Sequence, residues 1–210
     1  MKRVEVPYLA NIPYDQREDV QRLLIGKGAK LDISTLNWAD FSHFPPVTLF
    51  LGYCGEKLWL HYMVKGDFVK AEFQHDHDPV WQDSCVEFFV AVDSGYMNFE
   101  FNALGNCLAA FGEGRGNRER LSVDDMNQII RWAPFTAENV PNHSLADWQL
   151  TVAIPLTLIK LWSGKAFRAN FYKCGDHTSI PHFVSWAPIA TEKPDFHRPE
   201  FFGELELSKR

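Results

Sequence analysis

Apolar and polar residues alternate in short runs along most of this chain, and the three-to-four spacing of an amphipathic helix is rare. In residues 47–53, Val47, Leu49, Leu51 and Tyr53 share one face. After Cys54-Gly55-Glu56-Lys57, residues 58–64 resume with Leu58, Leu60, Tyr62 and Val64 together. Two alternating runs joined by a short glycine-containing turn predict a β-hairpin. Residues 84–92 predict a third strand, with Val86, Phe88, Val90 and Val92 on one side. In 97–103, Met97, Phe99, Phe101 and Ala103 face in, while Asn98, Glu100 and Asn102 face out. Runs at 107–111, 148–154, 167–173, 183–186 and 203–207 complete the set.

Helical patterns are few. Residues 15–25 predict an amphipathic helix stopped by Gly26 and Gly28, Ser122 opens a short helix, and Pro155 starts one or two turns reaching residue 162. Many short strands with rare helices predict an all-β fold, an antiparallel β-sandwich of immunoglobulin-like or jelly-roll type with a few short helices. The chain reads as one domain over residues 1–210, with 1–46 as an N-terminal extension packed on the sandwich. Residues 112–120 are rich in glycine and charge and predict a mobile surface excursion. No GK[ST] follows them, so they are not a phosphate-binding loop.

Composition narrows the function. The 210 residues are 46% hydrophobic and 23% charged, which excludes a disordered chain. The net charge of −6 argues against a nucleic-acid or anionic-membrane binder. No apolar run approaches the roughly 18 residues of a membrane-spanning helix, and no secretory h-region follows Met1. The expected location is therefore cytoplasmic if Met1 is native, and otherwise exported. Cys54, Cys85, Cys107 and Cys174 form no CxxC pair and are expected to be buried, reduced thiols. Seven Trp, six Tyr and seventeen Phe suggest stacking surfaces as well as core.

The candidate chemistry is sparse. His75 and His77 in an extended segment point the same way and suit a transition metal, yet no third ligand is evident, and a solvated polar loop explains them as well. Asp76 and Asp78, with Asp83, offer hard oxygens for a structural calcium, the one cofactor expectation. No GxSxG elbow or cysteine nucleophile is present. Glu87 and Glu100 on neighbouring strands meet the minimal requirement for glycoside hydrolysis, two carboxyls at one bond. Trp81, in a polar loop just before the Glu87 strand, suits a pyranose, whose C–H face packs on an aromatic ring while its hydroxyls bond planar side chains. The alternative is that Trp81 merely covers the end of the sandwich.

The run Trp81-Gln82-Asp83-Ser84-Cys85-Val86-Glu87-Phe88-Phe89 resembles the W-x-D-S-V-E-I-F stretch of family 9 carbohydrate-binding modules. Asn98-Phe99-Glu100-Phe101-Asn102 resembles that family's F-x-V-N strand, and residues 148–155 resemble its amphipathic strand before a short helix. Residues 171–176 and Val184-Ser185-Trp186 resemble its later N-x-x-x-x-D and S-W elements, and residues 196–205 its W-x-x-P-x-x-F-G-x-L ending. The likeness runs in order from about Val47 to Leu207. It implies a β-sandwich that binds a mono- or oligosaccharide of xylan or glucan type between two aromatic side chains. Trp81 falls on one of these and Phe196 on the other, where the sugar binders carry Trp. Glu87 matches a ligand-binding carboxylate and Asn102 a ligand-binding amide, with His197 and Arg198 beside Phe196. Glu100 stands where those modules carry Arg, so the closer likeness is to diverged, stand-alone bacterial domains. Two rival readings are an endoxylanase-like glycoside-processing enzyme using Glu87 and Glu100, and an interaction domain whose sugar site has decayed.

Overall fold

Alternation over many short runs produces two stacked sheets in the computed structural model, which describes residues 1–10 and 12–209. The elements run β1 (Arg3–Val6), α1 (Arg17–Lys27), β2 (Ala29–Ile33), β3 (Thr35–Leu36), β4 (Val47–Cys54) and β5 (Lys57–Val69), then β6 (Cys85–Val92), β7 (Gly95–Asn102) and β8 (Cys107–Gly112). They continue with β9 (Glu119–Arg120), α2 (Val123–Asn127), β10 (Ile130–Trp132), β11 (Ser144–Pro155), β12 (Ala166–Gly175), β13 (His182–Ser185) and β14 (Gly203–Leu207). Single 3₁₀ turns lie at Val80–Gln82 and Pro199–Phe201.

The larger sheet has the order β1-β14-β12-β6-β7-β8-β9, with β13 on β12 and β3 on β13. The smaller has the order β10-β11-β5-β4-β2. The predicted antiparallel sandwich is therefore present, although β1 pairs with β14 in parallel. The β4–β5 hairpin turns where expected, with Gly55 at φ +55°, a conformation that favours glycine. Among the described residues, no helix is long and apolar enough to cross a membrane.

The core lies between the sheets. Val86, Phe88, Val90, Phe99 and Phe101 of one sheet meet Leu49, Leu51, Leu60, Leu150 and Val152 of the other, all fully or almost fully buried. Phe88 stacks on Phe99 at 6.0 Å and on Phe171 at 5.3 Å between ring centres. Each such side chain contributes about 1.5–3 kcal/mol through the water it excludes.

The outer face of the larger sheet is also dry. Cys85, Phe89, Tyr96, Tyr172 and Cys174 point away from the core yet lie buried beneath Trp38, Ile189, Phe196 and Phe202. Buried polar groups hold this cover down. Asn170 on β12 accepts from Ala187 N at 2.8 Å and donates to Ala187 O at 3.1 Å. Asn37 accepts from Ile189 N, and Trp38 Nε1 donates to Thr191 O.

Three expectations are corrected. Residues 1–46 are not an extension packed on a finished sandwich, because β1, β2 and β3 pair with β14, β4 and β13. The helix expected from Pro155 is absent: β11 runs to Pro155 through its pairing with β5, and irregular turns follow, with Lys160 at φ 52°. Tertiary pairing outweighs the local proline signal there. Residues 112–120 lie on the surface as expected, with 113–117 exposed, but they are tied to the sheet. They carry β9, paired with β8, and Arg118, whose guanidinium donates to the carbonyls of Tyr96, Ala110 and Gly114 and stacks 4.1 Å over the Tyr96 ring.

Candidate functional site

The cover leaves a gap over β6, β7 and β8, a cleft of about 330 Å³. Its floor is set by register. Glu87 on β6 stands directly opposite Glu100 on β7, and such cross-strand neighbours lie about 4.5–5.5 Å apart at Cβ. Cys174 on β12 lies across from Cys85, one side-chain pair along the same face. Trp81, Phe183, Phe196 and His197 form walls, and Arg115, Arg118 and Arg120 form the rim.

Both floor carboxyls are almost fully buried and only half satisfied. Glu87 Oε1 accepts from Cys174 Sγ at 3.0 Å, and Glu100 Oε1 accepts from Asn98 Nδ2 at 2.9 Å. Their Oε2 atoms have no partner. Burial pushes Glu87 well above the ordinary carboxyl range, and Cys174 and Glu100 push it further. Burial also pushes Glu100 up to about 7, against the opposing pull of its Asn98 bond and of Arg118. Asp176, on the cleft wall, is raised by burial to about 6. At neutral pH the floor is thus a set of carboxyls poised to hold protons, able both to donate and to accept hydrogen bonds.

Trp81 is half-buried on the Val80–Gln82 turn, and its carbonyl accepts from Asp176 N at 3.3 Å. The turn is fixed from below by Asp83, which is fully buried and accepts from Glu72 N, Phe73 N, Asn102 Nδ2 and Lys70 Nζ. Phe196 is 8% exposed, with its ring stacked on Tyr172 at 4.1 Å and 8°. One face is therefore already used, and Phe196 acts as a backstop more than an open platform. Tyr96 Oη and His197 Nδ1 share a 2.8 Å hydrogen bond. Burial, reinforced by Arg118 and Arg115, lowers His197 to about 3, so the ring stays neutral.

Of the residues named from the sequence, Trp81, Glu87, Glu100, Phe196 and His197 come together. Asn102 and Arg198 do not. Asn102 is fully buried, with Nδ2 on Phe73 O and Asp83 Oδ2 and Oδ1 accepting from Leu104 N and Asn106 N, which leaves little for a ligand. Arg198 pairs with Glu200 outside the cleft. The residues proposed for calcium are also engaged elsewhere. Asp76 receives both arms of Arg131 and the N–H of Cys107, and although burial opposes it, Arg131 keeps the carboxyl below its usual range. Asp78 accepts from His75 N, and the His77 ring bonds Leu121 O. Among the described residues, no three-donor cluster forms around Asp76 or Asp78.

Sequence reasoning missed Asn98, Arg115, Arg118, Asp176 and Phe183. For Asn98 a signal is present, since it shares the outward face of its strand with Glu100. For Arg118 there is none, because its placement depends on a loop folding back over the sheet.

A cleft on the face of a β-sandwich, lined by paired carboxyls and a partly exposed indole, has the chemistry of a sugar-binding domain. The chain belongs to carbohydrate-binding family 9, whose family model matches residues 18–207. Its fold is similar to that of a Bacteroides uniformis ATCC 8492 protein assigned as carbohydrate-binding, at 34% identity over 98% of this chain and 99% of that one, with a TM-score of 0.89. It is also similar in fold to a family 9 module from Caldicellulosiruptor kristjanssonii solved with glucose (13% identity, 100% and 97% coverage, TM-score 0.65) and solved with cellotriose (12%, 100% and 95%, 0.62). No curated protein matches the chain significantly.

Proposed function

We propose that the cleft binds a neutral or amine-bearing mono- or oligosaccharide without cleaving it, one pyranose ring packing on Trp81 and its hydroxyls bonding Glu87 and Glu100. The observation that carries this reading is the pair of unpartnered Oε2 atoms under a half-buried tryptophan. Buried carboxyl oxygens without partners are costly, and hydroxyl groups of a sugar satisfy them. The cleft volume sits at the small end of ligand pockets, which suits a chain end or short oligosaccharide. The glucose and cellotriose complexes of the Caldicellulosiruptor module support a glucan-type ligand. Among the described residues, the floor beneath the ligand offers carboxyls and no cation to pair with a uronate's charge, so a uronate seated there should bind worse than its neutral counterpart.

The hydrolase reading loses support from the same register. Glu87 and Glu100 are side by side on the floor of the cleft, whereas acid and nucleophile or base must flank the scissile bond. A decayed site would bury Trp81, which instead lines an open cleft. Calorimetric titration with glucose, cellotriose, a xylo-oligosaccharide and a uronate is the test. Binding of a neutral sugar that weakens for the uronate is expected. Tighter uronate binding would transfer the assignment to the arginine rim.

A further inference from the structure

We infer that Cys85, Glu87 and Cys174 form a three-ligand site for zinc at the bottom of the cleft, with the fourth position open towards it. Cys85 and Glu87 lie two apart on β6 and so share a face, and Cys174 is the cross-strand partner of Cys85 on β12. One donor atom from each, two sulfurs and a carboxylate oxygen, lies within 4.8 Å of the others. Zn–S bonds of about 2.3 Å and Zn–O bonds of about 2.0–2.2 Å place tetrahedral ligands about 3.5–3.8 Å apart, so small side-chain adjustments close the site. The second observation is Glu87 Oε2, which is buried and unpartnered on a side chain that lines the cleft. Cys174 also lines the cleft, which gives the ion a route in.

The donor chemistry selects the metal. Two thiolates and one carboxylate suit zinc or its analogue cobalt, and calcium, which takes six to eight oxygens, is excluded from such a set. Binding of the metal displaces the thiol protons of both cysteines. Three protein ligands with one open position is the arrangement in which zinc accepts an outside oxygen, here a water or a ligand hydroxyl.

The test uses the full chain, reduced and metal-free, titrated with Co²⁺ and then Zn²⁺. Stoichiometric growth of a thiolate-to-cobalt charge-transfer band with intense visible bands, bleached by Zn²⁺, is expected. The band should vanish in Cys85→Ser and Cys174→Ser and weaken in Glu87→Gln. It should persist in the Cys54→Ser/Cys107→Ser double variant, which removes the other two buried thiols and controls for folding. Zn²⁺ should raise the wild-type Tm and release protons at neutral pH. A pale octahedral cobalt spectrum, no binding, or a band that survives Cys174→Ser in a folded protein would overturn the site. The metal titration contains no sugar, so failure of the sugar reading leaves its outcome intact.

Discussion

On β6 and β7, Val86, Phe88 and Val90 meet Phe99 and Phe101 inside the sandwich, while Cys85, Glu87 and Phe89 lie with Asn98 and Glu100 on the opposite face. Both faces are almost completely removed from water. The inner face is apolar and interlocked, so burial there is favourable at every contact. The outer face buries two carboxyls that keep an unpartnered oxygen each. That burial opposes folding, and the cleft above it is where a ligand can relieve the cost. One pair of strands thus supplies stability on one side and an unsatisfied, receptive surface on the other.

The largest effect should come from the inner face. Phe99→Ala removes a fully buried ring stacked on Phe88 and should cost about 3–5 kcal/mol in urea unfolding. A loss below about 1 kcal/mol would mean that this layer is not packed as described.

The outer face should respond in the opposite direction. Glu100 is raised by burial from 4.5 to about 7, so the folded state holds its proton more tightly than the unfolded chain does. Its contribution to stability therefore falls as pH rises from about 4.5 through 7. Glu100→Gln removes that dependence. The variant should match wild type below about pH 4 and exceed it by an amount on the order of 3 kcal/mol above pH 7. His197, lowered by burial to about 3, gives the reverse slope below pH 6.5 in both proteins and cancels in the difference. A constant difference across the range would refute a raised Glu100.

Trp81→Ala should separate ligand from fold. Sugar affinity should drop by about 2 kcal/mol or more, the scale of a binding hot spot, with little change in Tm. Unfolding of the variant with residual binding would place Trp81 in the core instead. The smallest effect is expected away from both faces. Ser122, whose Oγ accepts from Asp125 N at 3.1 Å, caps α2, and Ser122→Ala should cost about 1 kcal/mol without touching binding.

The inner face is legible in the sequence alone. Period-two alternation marks Val86, Phe88, Phe99 and Phe101 as core, and the strand at 203–207 has the bounds that its pattern predicts. Trp81, Glu87 and Glu100 stand out because a tryptophan before a strand with outward carboxyls is unusual. The short strands β3, β9 and β10 leave no such mark, because two or three residues carry too little alternation, whereas β2 carries it, with Leu31 and Ile33 buried and Lys30 and Asp32 exposed. Asn102 departs from its expected role because polar alternation reads the same for a ligand-binding amide and for one spent on Asp83 and the neighbouring backbone.

The sequence by itself determined the class of fold, the family and which side of each long strand would be greasy, since side-chain direction is a local property of the backbone. Only the tertiary structure decided that the other side is dry as well, that residues 112–120 and 186–202 return over it, and that Cys174 arrives beside Cys85 and Glu87. Alternation records where a residue points. Whether water remains there depends on segments tens of residues away, whose return over the sheet is fixed by buried side-chain bonds such as those of Asn170 and Trp38.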